Sequence, residues 1–277
     1  MDNIEISRQL LASLSQGDHE GAMAFVSDGF LCLEAESMPY AGTYHGKAGF
    51  LELMGKLFTT FNGFDLVDIT GDGDAVILQV TIKHESTRGT FSMPLTELWY
   101  LRDGLLVEAI PCYFDPGKVQ DFVAGDMPQV SDLAFHRAME HGHGDKEKNI
   151  AMVTNVLKRA ASGGWEGTID HLHPDFHIVE SEATPYGGVY RGEGAFPEIM
   201  RALQATWTGL EFTIDRIIAD DRRVFIIQTM KGNVGGSDLE MLIDEMWEIQ
   251  DGKIHRVVPY YFDAKKLGDR ARFSVDA

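Results

Sequence analysis

Only two cysteines, Cys32 and Cys112, occur in 277 residues, and each sits inside an apolar run. That excludes a disulfide framework and reads as buried free thiols in a reducing compartment, so a cytoplasmic location is expected. Long apolar runs are missing too. No stretch approaches the roughly 18 residues needed to span a bilayer, and the opening MDNIEISRQLLASLSQG carries Asp2 and Glu5 where a secretory leader would carry cations. An unsecreted chain without membrane contact is expected. Cations are scarce: 24 Lys and Arg face 43 Asp and Glu, a formal charge of −19. Such a surface repels phosphate backbones, which argues against nucleic-acid partners.

Motifs for cofactors are equally thin. No GxGxxG follows a strand, and neither Walker A nor GxSxG occurs, which disfavours nucleotide cofactors and serine-triad chemistry. HLHPDFH (171–177) has no counterpart elsewhere in the chain, HGHGD (141–145) falls in a linker, and TGDGD (70–74) lacks the ligand spacing of a calcium loop. No cofactor and no metal are therefore expected.

What the chain does have is a repeat. EAESMPYAGTYHGKAGF (34–50) aligns with ESEATPYGGVYRGEGAF (180–196) at an offset of 146, and 17 of 47 residues from Gly17 to Gly63 are preserved by that shift. ELWYLRDGLLVEAIPCYFD (97–115) matches EMWEIQDGKIHRVVPYYFD (245–263) at an offset of 148, a change ascribed to a small insertion in the intervening hairpins. With 44% apolar residues, each copy can build its own core. The expected organisation is a first domain over 1–120, a linker with a short helix over 121–145, and a second domain over 146–277.

Each copy runs through the same periods. Ile6, Leu10, Leu11 and Leu14 recur at helical spacing, as do Met152, Val153, Val156, Leu157 and Ala160. A short helix is expected near Gly21–Val26 and Gly167–Leu172. The strands FLCLEAE and FHIVESE follow, then a turn with a returning strand. Phe50, Leu53, Met54, Leu57, Phe58 and Phe61 form an amphipathic helical stripe, repeated by Phe196, Ile199, Met200, Leu203 and Trp207. Strands punctuated by GDGD, RDG and QDG turns end each copy. The order α-α-β-β-α-β-β-β-β predicts an α+β fold, a curved antiparallel sheet packed on helices.

Charges on faces that should be buried mark candidate sites. Glu245 alternates with Ile243, Trp247 and Ile249, and Glu97 with Leu95, Trp99 and Leu101. A carboxyl there either finds a partner or stays protonated; a structural tie to a backbone amide or an Arg is the alternative. Glu34 and Glu36 share one strand phase with Phe30 and Cys32, as Glu180 and Glu182 do with Phe176 and Ile178, about 7 Å apart by strand rise. Paired carboxyls in one pocket separate into an acid and a base; at a solvated rim they do neither. His84 continues the phase of Val76, Leu78, Val80 and Ile82, with Asn233 at the corresponding place, which favours the first copy as the active centre. Tyr40, Tyr44, Phe58, Phe61, Trp99 and Tyr113, with Tyr186, Tyr190, Trp207, Trp247 and Tyr261, supply pocket walls or core.

PYGGVYRG followed by a helix, then E-x-W-x-I-x-DGKI and PYYFD, resembles the SnoaL-like branch of the nuclear transport factor 2-like superfamily, which includes ketosteroid isomerase, scytalone dehydratase and limonene epoxide hydrolase. The resemblance covers nearly all of both copies; because single-domain members commonly dimerise, it implies that the two copies can form an internal pseudo-dimer, with further homo-oligomerisation open. It implies two tandem cone-shaped α+β barrels, each a curved sheet wrapped by helices around a deep apolar pocket that usually works without a cofactor. By position Glu97 and Glu245 resemble the acid of the ketosteroid isomerase oxyanion hole, a carboxyl kept neutral by an apolar site. Glu36 and Glu182 lie near that enzyme's general base, although this chain has Glu-x-x-Pro where the family places the acid directly before Pro. The implied function is acid/base isomerisation, dehydration, cyclisation or elimination on an apolar, aromatic, oxygenated small molecule. Glu36 or His84 moves the proton, and Glu97 with Tyr113 stabilises the oxyanion. A retro-aldol lyase releasing formaldehyde from lignin-derived aromatic dimers uses the same groups. The competing class is a non-catalytic module that binds a small molecule or a protein.

Overall fold

A computed structural model describes residues 1–142, 144–161 and 165–273. The chain divides into two units, Met1–Ala138 and Met139–Ala277. The segment 121–145 is thereby split: its residues up to 138 belong to unit one, where His136 is buried and its Nε2 meets Leu95 O at 2.8 Å.

Unit one opens with α1 (Asn3–Ser15), whose N-cap Asp2 accepts from Glu5 N at 2.8 Å and whose Ile6, Leu10, Leu11 and Leu14 are buried. The short α2 (His19–Met23) precedes β1 (Val26–Glu34). β2 (Gly42–His45), α3 (Gly46–Thr60), β3 (Gly63–Asp72), β4 (Ala75–Ser86), β5 (Gly89–Arg102), β6 (Leu105–Tyr113) and α4 (Pro116–Ala124) follow. Strands β3 to β6 form an antiparallel meander; β1 joins parallel to β6, and β2 pairs antiparallel with β1.

Unit two repeats this with α5 (Lys146–Ala161), a 3-10 segment at Trp165–His171, β7 (Leu172–Glu180), β8 (Gly188–Arg191) and α6 (Ala195–Thr206). Then come β9 (Thr208–Ala219), β10 (Arg223–Val234), β11 (Ser237–Gln250), β12 (Lys253–Tyr261) and α7 (Ala264–Phe273), in the same pairing scheme. Both units are α+β, as the repeated pattern predicts. No helix among the described residues is long and apolar enough to cross a membrane.

Asp-Gly pairs close hairpins in both units. Asp103 and Gly104 have φ of 53° and 79°, and Asp251 and Gly252 of 52° and 71°, the positive values that a two-residue turn needs. Matching bulges bend the sheets: the register shifts between Leu66 and Asp68 in β3, and across Ile227 and Gln228 in β10.

The two-residue insertion in the second copy is not in a hairpin. Gly63 pairs with Lys83, two residues after the helix-ending Phe61, whereas Glu211 pairs with the equivalent Lys231 four residues after Trp207. The extra residues open β9 as a bulge, with Gly209 at φ 65°. Downstream the offset is 148, so the partner of His84 is Gly232, not Asn233: His84 faces Phe91 and Gly232 faces Leu239.

The closing helices α4 and α7 add to the expected order. Asp115 accepts from Lys118 N at 3.2 Å, Pro116 occupies the first turn, and Gly125 ends α4 in the left-handed conformation. Asp263 caps α7 the same way, through Lys266 N at 3.0 Å.

Candidate active sites

Each unit holds a cavity between the concave sheet face and its helices, with two glutamates in the wall. In unit one β1 ends at Glu34, buried and 3% exposed, and β5 presents Glu97. Tyr113 OH donates to Glu34 Oε1 at 3.4 Å and itself receives Tyr40 OH at 3.0 Å; Glu34 Oε2 has no partner. Trp99 Nε1 donates to Glu97 Oε2 at 2.7 Å. No cation reaches either carboxyl among these bonds, so burial raises both pKa values, Glu34 further through its neighbour Glu97.

Unit two repeats the arrangement. Tyr261 OH donates to Glu180 Oε2 at 3.0 Å, and Trp247 Nε1 to Glu245 Oε2 at 2.8 Å. Burial pushes Glu180 up to about 8, with Glu245 adding to the rise, and Glu245 up to about 7. Two carboxyls thus titrate across neutrality beside one apolar space. The Trp two residues on explains why Glu97 and Glu245 tolerate an inner face: alternation puts both side chains on one side, where the indole N–H meets the carboxyl.

The structure places the other candidates as follows. Glu36 and Glu182 are exposed, two residues past the ends of β1 and β7, and line neither cavity. Because the strands stop at Glu34 and Glu180, the alternation that would have brought the later glutamates inward does not continue. The inner acids are Glu34 and Glu180. His84 is half-buried at the end of β4, with Nδ1 3.0 Å from Thr60 O and its ring 5.0 Å from that of Phe122; it does not line the cavity. Phe61, Trp99 and Tyr113 line cavity one, with Phe58 at its rim, 41% exposed. Trp247 and Tyr261 line cavity two. Tyr40, Tyr186 and Trp207 stand behind the walls, Tyr40 and Tyr186 each 6.4 Å, ring to ring, from Tyr113 and Tyr261.

The cavities differ in size, about 90 Å³ in unit one and about 290 Å³ in unit two. An engineered apolar cavity of about 150 Å³ takes one benzene. Cavity one is below that, cavity two well above it, so the roomier centre is in the second copy and not the first. The causes are local. Leu14 and Phe58 fill space in unit one where the repeat has Ala160 and Gln204. Phe122 of α4 stacks on Phe91 and Phe61 at 4.5 and 6.1 Å, whereas the repeat aligns Arg270, Leu239 and Trp207 at those places.

Of the histidine runs, His173 and His177 pack edge-on against His255, at 5.0 and 5.3 Å, without assembling a ligand set. His143 of HGHGD lies outside the described residues. Among the described residues, His141, Asp220 and Asp221 are the group that could hold a metal ion, and their ligand atoms already bond to backbone amides and to one another. Asp220 Oδ1 caps Arg222 N and Arg223 N at 2.7 Å, and Asp221 takes His141 Nδ1 at 2.7 Å and Gly144 N at 3.3 Å.

Comparison with known proteins gives one family. The profile described as "SnoaL-like domain" matches residues 7–109 and 153–257. Solved structures similar to one copy include an NTF2-like protein from Burkholderia xenovorans (16% identity, 46% of this chain and 98% of that one, TM-score 0.41). TerC, co-crystallised with polyporic acid, is similar at 26% identity over 40% of this chain and 90% of that one, TM-score 0.36. A protein of ketosteroid isomerase-like fold from Catenulispora acidiphila, in complex with trimethylamine, is similar at 14% identity over 40% and 84%, TM-score 0.34. No curated protein matches the chain.

Proposed function

Since the chain belongs to the SnoaL-like domain family, we propose that it is a cofactor-independent acid/base enzyme acting on an apolar, aromatic, oxygenated small molecule, with its reaction centre in the cavity of unit two. The observation that carries this reading is the pair Glu180 and Glu245, both in the cavity wall and, among the described residues, hydrogen-bonded only to a Tyr hydroxyl or an indole N–H. A pair held without a cation suits proton transfer better than fold maintenance, because each carboxyl can change charge near neutral pH.

The roles follow from the environments. Glu245 has one oxygen held by Trp247, which leaves Oε1 to take a proton from carbon or oxygen of the substrate. Glu180, the group with the higher pKa, is the protonated partner; Tyr261 donates to its Oε2 and holds it in place, and its own O–H, on Oε1, is offered to the oxygen on which negative charge develops. Returning the proton to another atom gives isomerisation. Expelling a hydroxyl gives dehydration, and cleaving a carbon–carbon bond gives a retro-aldol lyase; each uses the same pair. In unit one the tighter cavity favours a different reading, a copy that supports the fold or binds a small group without turnover.

The test is turnover against aromatic ketones, hydroxy ketones and β-hydroxy aromatic dimers. Glu245→Gln should lower kcat by at least about a hundredfold while leaving KM nearly unchanged, and Glu97→Gln should have little effect. Full activity in Glu245→Gln would overturn the assignment. Loss in Glu97→Gln alone would move the centre to unit one.

A further inference from the structure

The wall of cavity two contains a polar group that the acid/base reading does not use. Gln228 lies on the inner face of β10 with Val224, Ile226 and Met230, is 5% exposed, and lines the cavity. No hydrogen bond engages its amide among the described residues, and unlike that of Gln79 the amide is not sealed off but opens onto the cavity. An amide that faces a cavity and makes no bond within the fold is satisfied by whatever enters, water or ligand. The repeat shows that the fold does not require it, because β4 carries Val80 at the same place. At the rim, α5 presents the exposed Lys158, where unit one has Ala12. No ion pair engages Lys158 among the described residues. Phe212 and Ile214 line the same cavity and are 42% and 44% exposed.

We propose that Gln228 and Lys158 make unit two selective for an elongated two-ring aromatic molecule that bears a hydrogen-bonding substituent on its body and an anionic group at its outer end, and that unit one does not take this ligand. The size follows from the cavity, about 290 Å³, roughly twice the volume that accommodates a single benzene. The ring substituent pairs with the Gln228 amide, which can donate or accept. The anionic end stays at the rim beside the Lys158 ammonium, while Phe212 and Ile214 cover the second ring. Unit one lacks each element, with Val80, Ala12, Leu14 and a smaller space. The proposal rests on the reading that cavity two is a ligand site, and it is read by binding alone, so that absence of turnover leaves it standing.

The test titrates the full chain calorimetrically with 6-hydroxy-2-naphthoate and with 2-naphthol. One equivalent of the naphthoate should bind per chain. Gln228→Val should weaken it roughly tenfold, the scale of one hydrogen bond, while the Tm of the unliganded variant stays level or rises by about 2 °C, since the amide lost makes no bond within the fold and an apolar group takes its place. Lys158→Ala should weaken the naphthoate and leave 2-naphthol unchanged. Opposite movements of affinity and stability are what a purely structural Gln228 cannot produce. No binding, two equal sites per chain, unchanged affinity in Gln228→Val, or a fall in its Tm would each overturn the proposal.

Discussion

At the scale of single residues, the cavity-wall carboxyls, Glu180 buried and Glu245 half-buried, tie the candidate chemistry to stability. Glu180 and Glu245 titrate near 8 and 7 in the folded chain, against 4.5 for an ordinary glutamate. Between those limits the folded state holds more protons than the unfolded state. Folding stability therefore falls as pH rises through that window, and the contribution is fully present only below about pH 4.5. A carboxyl whose pKa is raised tenfold in proton affinity by folding costs the fold about 1.4 kcal/mol once it ionises, so the two groups together weaken the fold by several kcal/mol on going from pH 5 to pH 8. Urea unfolding across that range should show declining stability, and Glu180→Gln with Glu245→Gln should flatten the slope. A slope unaltered by both substitutions would mean that the carboxyls are not held neutral by the fold. Glu97 and Glu245 were legible in the sequence as charges on apolar phases, because alternation depends only on their strands continuing past them. Glu36 and Glu182 misled for the same reason in reverse: nothing in FLCLEAE marks the strand as ending at Glu34.

Between elements, the unequal cavities come from which helix faces meet the sheet. α1 sends Leu14 and α3 sends Phe58 toward the space that α5 and α6 leave emptier with Ala160 and Gln204. Transplanting the second pattern, Leu14→Ala with Phe58→Gln, should enlarge cavity one and give the chain a second binding equivalent for 2-naphthol. It should also cost about 2–5 kcal/mol, because Leu14 is buried and its removal leaves a void. Stoichiometry remaining at one would show that Phe122, stacked on Phe61 and Phe91, closes that cavity by itself. The helical stripes were readable from period alone, but the volumes were not, since they depend on side chains contributed by several elements. The closing helices had a local signature, the Asp115–Pro116 cap and Gly125, which periodicity over nine residues was too short to reveal. The bulge at Gly209 escaped detection because an insertion inside a pairing leaves the flanking motifs aligned on either side.

Taken as a whole, the chain is a duplication whose copies keep their carboxyl pairs and diverge around them. That history is written in the matching runs 34–50 and 180–196, which is why the fold and its two-unit plan were visible in the sequence. Function was less visible, because the differences that separate the copies, Val80 against Gln228 and Leu14 against Ala160, are ordinary substitutions until a cavity gives them meaning. The formal charge of −19 also changes sense. Glu34 and Glu97 have raised pKa values, and Glu180 and Glu245 are pushed up to about 8 and about 7, so Glu180 and part of Glu245 drop out of the formal charge at neutral pH. The remainder is still large and of one sign, and it opposes compaction through self-repulsion. Repulsion of that kind reaches about 30 Å at 0.01 M ionic strength and only about 8 Å at 0.15 M. Adding sodium chloride between those concentrations at pH 7 should therefore raise the Tm, and the gain should shrink as pH falls toward 5 and surface carboxylates lose charge. A Tm that drops with salt would instead mean that favourable ion pairs such as Arg256 with Glu248, at 2.6 Å, outweigh the acidic surface. That outcome is not expected, because this pair is buried and therefore poorly screened.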